Sequence, residues 1–350
     1  MPSENKVLSQ TQQEHPLEAP SQAARRAKKK GRVLIIDSYN LFLRSYIVDP
    51  SLSANGDPIG GLKGVVKSLQ KICRETRPDK IIVCWDGQGG STKRRLMNKG
   101  YKEGRKTVRL NRDIRVLGED EELQNKIWQQ QRLIEYYNSM PIAQFMFKAM
   151  EADDVIAYIC RLEQFGEWQK VIVSSDKDFF QLLDDQTVVY RPIQKQVLNK
   201  KYILDEFGVH PNNFALVRAM AGDRSDNLPG IKGVGVKTAA KRFPFLCEEK
   251  HATIPELISY AREKTQESKV KIYGNVASGE DVILSNYQIM QLYTPTLSID
   301  AKREVRHTCA EADLGFNQTQ INKMMLQDGF GEINFQELFA TFKRIALSDR

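Results

Sequence analysis

The sequence predicts an α/β fold built on a parallel sheet, and three apolar runs carry the prediction: Val33-Leu-Ile-Ile-Asp37, Ile81-Ile-Val-Cys-Trp-Asp86 and Val171-Ile-Val-Ser-Ser-Asp176. Short Val- and Ile-rich runs separated by helix-like sequence read as strands buried on both faces. Each run ends on an aspartate. Ligands of an open α/β sheet gather at the carboxyl ends of its strands, so Asp37, Asp86 and Asp176 are expected to point into one acidic crevice.

Composition makes such a crevice conspicuous. The 350 residues carry a formal net charge of +8, a balance that favours an anionic partner such as nucleic acid. An acidic focus in a basic chain suggests a polyanion held by Lys and Arg, with divalent cations between acids and phosphate. No run is apolar enough to span a membrane. The five cysteines are scattered and form no Cys-x-x-Cys pair, which argues against a zinc ribbon or a disulfide framework and for a reducing, cytoplasmic setting.

Residues 1–31 are rich in Gln, Ser, Glu and Pro and end in a basic run, Arg25-Arg-Ala-Lys-Lys-Lys30; they are expected to be a disordered basic tail. Ser38 to Tyr46 should start a short helix. The Gly60-Gly61 cluster precedes a second helix, from about Leu62 to Glu75. A longer amphipathic helix is expected from about Glu119 to Asn138, with Leu123, Ile127, Leu133, Ile134 and Tyr137 as its buried stripe. Glu151-Ala-Asp153-Asp154 opens another helix, placing its acids in the first turn, where the helix dipole tolerates them. Asp176 and Asp178 fall on a turn where both can reach one hard cation. A fourth strand, Thr187 to Arg191, and a hairpin partner near Gln196 to Leu198 follow. Near the C-terminus, Phe335, Leu338, Phe339, Phe342 and Ile345 make an apolar helical stripe that reads as core.

Two segments differ in character from the rest. Between Lys93 and Arg115 there are ten basic residues and only two acids, Glu103 and Asp113; this stretch is not expected to enter the core. The second is Gly222-Asp223-Arg-Ser-Asp226-Asn-Leu-Pro-Gly230-Ile-Lys232-Gly233-Val-Gly235-Val-Lys237, followed by Lys241. Its glycines let backbone approach a phosphate, amides at the following helix start can donate to it, and Lys232, Lys237 and Lys241 add charge. A Rossmann loop is not indicated, because these glycines follow no apolar strand.

Together, Asp37, Trp85-Asp86-Gly87, Glu151-Ala-Asp153-Asp154, Ser175-Asp176-Lys-Asp178 and the Gly222 to Gly235 segment resemble the structure-specific 5′ nucleases. That family includes flap endonucleases and 5′-to-3′ exonucleases, and the short chain looks most like the bacteriophage ribonuclease H or flap-exonuclease type. The resemblance covers roughly Arg32 to Phe245. It implies a PIN-like central parallel sheet flanked by helices, a helical arch, a helix-three-turn-helix DNA-binding element and a helical C-terminal part. Residues 32–220 would be the nuclease core, with the arch at about 88–118, and 221–350 the remainder.

The resemblance also implies chemistry. Two Mg2+ ions, replaceable by Mn2+, would sit among the carboxylates. Asp86 and Asp153 would lie nearest one ion, Asp178 and Asp226 nearest the other, and Asp176 close to both; Asp37, Glu151, Asp154 and Asp223 would act directly or through water. Lys102, with Arg105 beyond it, matches the arch residues that face the scissile phosphate, while Arg94, Arg95, Lys99 and Lys106 would steer DNA. Gly230, Gly233 and Gly235 belong to the duplex-gripping turn, which in the family can hold K+. Implied partners are branched or 5′-ended DNA, RNA-DNA duplex and replication-fork proteins, with the chain as a monomer. A PIN-type ribonuclease would leave the basic segment and the glycine turn unexplained. In a catalytically silent DNA-binding module, since every expected acid is present, silence would have to come from geometry rather than from loss of ligands.

Overall fold

The computed structural model describes residues 31–104, 117–311 and 314–348. The expected tail, apart from Gly31, and residues 105–116, with Arg105, Lys106 and Asp113, lie outside the described residues.

Strand β1 (Arg32–Asp37) passes directly into α1 (Ser38–Val48), because Asp37 is both the last strand residue and the helix N-cap: its Oδ1 accepts from the Asn40 amide at 3.1 Å. Helix α2 (Gly60–Thr76) returns the chain to β2 (Lys80–Trp85). A short α3 (Thr92–Met97) opens the basic segment, and α4 (Glu119–Asn138) leads from it to β3 (Ala143–Met146). Then come α5 (Ala152–Cys160), β4 (Gln169–Val173), a 3-10 turn at Asp178–Leu182, β5 (Thr187–Arg191) and β6 (Gln196–Leu198). The remainder is helical: α6 (Lys200–Phe207), α7 (Pro211–Ala221), α8 (Val236–Arg242), α9 (Ile254–Glu267) and α10 (Lys271–Ser278). Helices α11 (Glu280–Met290), α12 (Ile299–Glu311), α13 (Gln318–Gln327) and α14 (Gln336–Ser348) complete it.

The sheet order is β3-β2-β1-β4-β5-β6, parallel except for the β5-β6 pair. The chain starts at the centre, moves outward to β3, and returns to the other side of β1. That reversal opens a crevice at the carboxyl ends of β1 and β4. Alternate strand residues face opposite layers. Val33, Ile35, Ile82, Cys84 and Ile172 pack with α5, α7 and the helices that follow. Leu34, Ile36, Ile81, Val83, Val171 and Val173 pack under α1, α2 and α4, together with α13 and α14.

Three expectations are corrected here. Strand β3 was not anticipated: four residues are too few to show a period, and the strand is held partly by a side chain, with Trp85 Nε1 donating to Gln144 Oε1 at 3.1 Å. On α4, Leu133 and Tyr137 are buried, but Leu123 and Ile127 are exposed. The buried face instead includes Gln129, whose Oε1 accepts from the Leu62 amide at 3.0 Å and whose Nε2 donates to the Pro58 carbonyl at 2.8 Å; it satisfies the start of α2, which an apolar residue could not. The basic segment also enters the core, because Tyr101 is buried against Leu228, Ile289 and Met290. The expected C-terminal stripe is buried at all five positions, covering the α2 face of the sheet.

Candidate active site

Six aspartates line one cleft of about 140 Å³: Asp37 from β1, Asp86 just past β2, Asp153 in the first turn of α5, Asp176 after β4, Asp178 on the 3-10 turn and Asp226 after α7. Arg94, Tyr101 and Lys102 close one side, and Ile289, Met290 and Leu292 another. A larger hollow, about 950 Å³, lies beside β3 and the C-terminal helices, but among the described residues no acid lines it.

Local hydrogen bonds aim these carboxylates. Ser174 donates to Asp37 Oδ2 at 2.9 Å, and its hydroxyl oxygen accepts from the Asp176 amide at 3.1 Å. Asp176 Oδ1 in turn accepts from the Asp178 amide at 2.8 Å, so one serine orders three acids. Asn40 Oδ1 accepts from the Ser175 amide at 3.2 Å, tying α1 to the same loop. Asp86 Oδ1 accepts from the Ala152 amide at 2.8 Å, using the positive end of α5. Arg218, on α7, donates from Nε to Asp178 Oδ1 at 2.9 Å and pairs through Nη2 with Asp223.

Glu151, Asp154 and Asp223 do not line the cleft. Glu151 is buried and receives Lys102 Nζ at 2.7 Å, the Tyr101 hydroxyl at 3.3 Å and Arg94 Nη1. Asp154 accepts from the Thr296 amide at 3.0 Å and lies 3.1 Å from Arg94 Nη1. Arg94, expected to steer DNA, sets its guanidinium against both carboxylates, and its Nε donates to the Ile289 carbonyl at 2.9 Å. Arg95 and Lys99 are exposed. Lys102 sits on the cleft rim in a left-handed turn, φ 56°, with its amide donating to the Asp226 carbonyl at 2.9 Å; the base of the basic segment is thus tied to the turn that carries Asp226.

The glycine turn runs from α7 to α8. A Cβ on Gly230 would lie 2.0 Å from the Ala221 carbonyl oxygen, so glycine is required there by close backbone approach. Gly233 needs its freedom for another reason, φ 81°. Lys232, Lys237 and Lys241 are exposed along this turn and α8, and Lys237 pairs with Glu206 at 2.9 Å.

Crowding raises the proton affinity of the cleft. Burial, then Asp86, pushes the Asp37 carboxyl up to about 7. Burial, then Asp176, pushes Asp178 up to about 7. Desolvation with Asp176 and Asp37 holds Asp153 well above the usual carboxylate range, and desolvation also raises Asp86, which opens onto the cleft. Glu151 goes the other way, since Arg94 and Lys102 outweigh its burial. These carboxylates lack enough positive charge of their own. An all-oxygen donor set of this kind fits hard divalent cations. Among the described residues, no three acids converge into a ready-made cage.

A mostly parallel sheet with strand-end carboxylates, Arg94, Tyr101 and Lys102 at the side of the cleft and a glycine turn after α7 define a resolvase-like nuclease fold. The chain belongs to the 5′-3′ exonuclease family: the model of the 5′-3′ exonuclease N-terminal, resolvase-like domain matches residues 32–208. It is 32% identical over 215 residues to a 5′-3′ exonuclease of Buchnera aphidicola, covering 60% of this chain and 69% of that one. It is 31% identical over 213 residues to the thermostable DNA polymerase I of Thermus aquaticus, covering 61% of this chain and spanning only 24% of the polymerase's length. Its fold is that of the bacteriophage T5 D15 flap endonuclease, solved as a pseudo-enzyme-product complex with DNA and metal ions. There the TM-score is 0.60 at 18% identity, over 85% of this chain and 97% of that one.

Arg218, Ser174, Asn40 and the Ile289 to Leu292 wall escaped the sequence reading. Arg218 is 40 residues from Asp178, and no local period marks a cation whose partner is that distant.

Proposed function

We propose that the chain is a divalent-metal-dependent 5′ nuclease that hydrolyses phosphodiester bonds near the 5′ ends of flap, nicked or RNA-primed DNA. The observation that carries this reading is the convergence of Asp37, Asp86, Asp153, Asp176, Asp178 and Asp226 on one cleft with Lys102 at its rim. Two Mg2+ ions, or Mn2+ in their place, would supply an activated water and charge neutralisation at the leaving 3′ oxygen.

The protein's own groups do the rest. The six aspartates hold the cations. Ser174, Asn40 and Arg218 fix the directions of Asp37, Asp176 and Asp178 beforehand, so little reorganisation is left for the reaction. Lys102 presents a positive charge at the mouth of the cleft, where a phosphate would arrive. The Gly230 to Gly235 turn, with Lys232, Lys237 and Lys241, grips duplex backbone without reading bases. K+ at that turn, replication-fork partners, a monomeric state and a cytoplasmic setting belong to the same proposal; the first three follow from the resemblance, and the last is supported by the cysteines being free thiols.

The test is incubation of purified protein with end-labelled flap, nicked, blunt and RNA-DNA substrates, with and without Mg2+. Cleavage near 5′ ends of branched substrates only with the metal is expected. Cleavage confined to single-stranded RNA would favour a ribonuclease, and binding without cleavage a silent module.

A further inference from the structure

Like the glycine turn itself, helix α10 and its lead-in loop lie beyond residues 32–208, the region matched to the family, and they dock directly on that turn. Asn275 Nδ2 donates to the Lys232 carbonyl at 2.9 Å, and Ile272 Cγ1 lies 3.9 Å from where a Cβ on Gly233 would be. Gly279 lies so close to Ile231 that a Cβ there would meet its Cδ1 at 2.2 Å. Tyr273 and Val276 share a buried cluster with Ile231 and Val234. The two elements therefore form one rigid piece. Lys271 and Asn275 are four apart and share a helix face, the face from which Asn275 reaches the Lys232 carbonyl, with Lys269 two residues ahead in the chain.

The charges there have no internal use. The nearest acid in sequence, Glu267, pairs with Lys264 at 2.5 Å, and Glu280 pairs with Arg262 at 3.0 Å. Lys269 and Lys271 are exposed, and neither has an acidic partner among the described residues. Two uncompensated lysines anchored on a phosphate-gripping turn extend its positive surface by one further helix start.

We infer that Lys269 and Lys271 form a second duplex-backbone contact, continuous with Lys232, that lengthens the double-stranded footprint of the enzyme. The inference rests on the 5′ nuclease reading for its substrate, and the contact is to phosphate, independent of base sequence.

The experiment compares the full chain with Lys269→Gln/Lys271→Gln by fluorescence anisotropy, in chelator, on flap DNA with short and long duplex arms, across a salt series. Two lost phosphate contacts should lower the log-log salt slope by about 1.8. The loss of affinity should be larger at low salt, and confined to the long-arm substrate. Single-turnover cleavage at saturating enzyme should stay within about twofold, because chemistry does not use these groups, and the thermal midpoint should not move. An unchanged salt slope, or an equal loss on short arms, overturns the inference. Because binding is read without metal, a chain that shows this slope change yet cuts nothing would sustain the contact and remove the catalytic reading. A cutting enzyme with an unchanged slope would do the reverse.

Discussion

Within the cleft, a substitution acts through charge and direction more than through volume, since the aspartates crowd one another and Asp37, Asp86, Asp176 and Asp178 are each aimed by a hydrogen-bond donor. Asp178→Asn keeps an acceptor for Arg218 Nε and removes one negative ligand. Folding should survive, flap binding should be unchanged or modestly tighter, and cleavage should fall by several orders of magnitude, with partial rescue by Mn2+. Wild-type cleavage of a labelled flap by this variant in saturating Mg2+ would remove Asp178 from the metal site. Lys102 plays a different part. Its ammonium is held by buried Glu151 at the rim, so Lys102→Ala should slow single-turnover cleavage by about 10²–10³-fold while duplex affinity changes little. Equal losses in binding and rate would reassign it to general steering.

At the scale of the element, the turn between α7 and α8 separates glycines that look alike in sequence. Gly230 has the Ala221 carbonyl oxygen 2.0 Å from its would-be Cβ, whereas Gly235, an extended N-cap residue, has nothing within 4 Å. Gly230→Ala should force the turn apart, costing about 1–3 kcal/mol and weakening duplex binding on every sequence. Gly235→Ala should leave both the unfolding midpoint and binding near wild type. Denaturant unfolding and gel-shift titration of the pair check this, and equal behaviour would mean that the turn relaxes freely.

For the whole molecule, the cleft makes stability depend on pH and metal. Asp37 and Asp178 titrate at about 7 in the folded, metal-free chain against an ordinary value of 3.8. Between those values the folded state keeps protons that the unfolded state has released, so stability falls with rising pH. The contribution of these two groups is full below about pH 4 and lost as pH passes through about 7. In chelator, the thermal midpoint should drop from pH 5 to pH 8, and less steeply in Asp37→Asn. A ligand that binds only the folded state raises its stability, so saturating Mg2+ should lift the midpoint more at pH 8 than at pH 5. A pH-independent midpoint in chelator would show that the carboxylates do not strain one another.

Much of this was legible along the chain. The strands ending at Asp37, Asp86 and Asp176, the helices that begin near Ser38 and Glu151, and the glycine turn follow from periodicity and from residues whose backbone freedom is local. Strand β3 was not legible because four residues show no period, and α4 misled because Gln129 is buried for its hydrogen bonds while Leu123 and Ile127 face solvent. The sequence alone determined which acids and bases are present, in what order, and on which kind of element. It could not say that Arg94 and Lys102 converge on Glu151, that Arg218 holds Asp178, or that Ile289 to Leu292 wall the cleft. Those partnerships join residues about 40 to 200 positions apart, and only the folding of the sheet and its helices brings such charges within hydrogen-bonding distance.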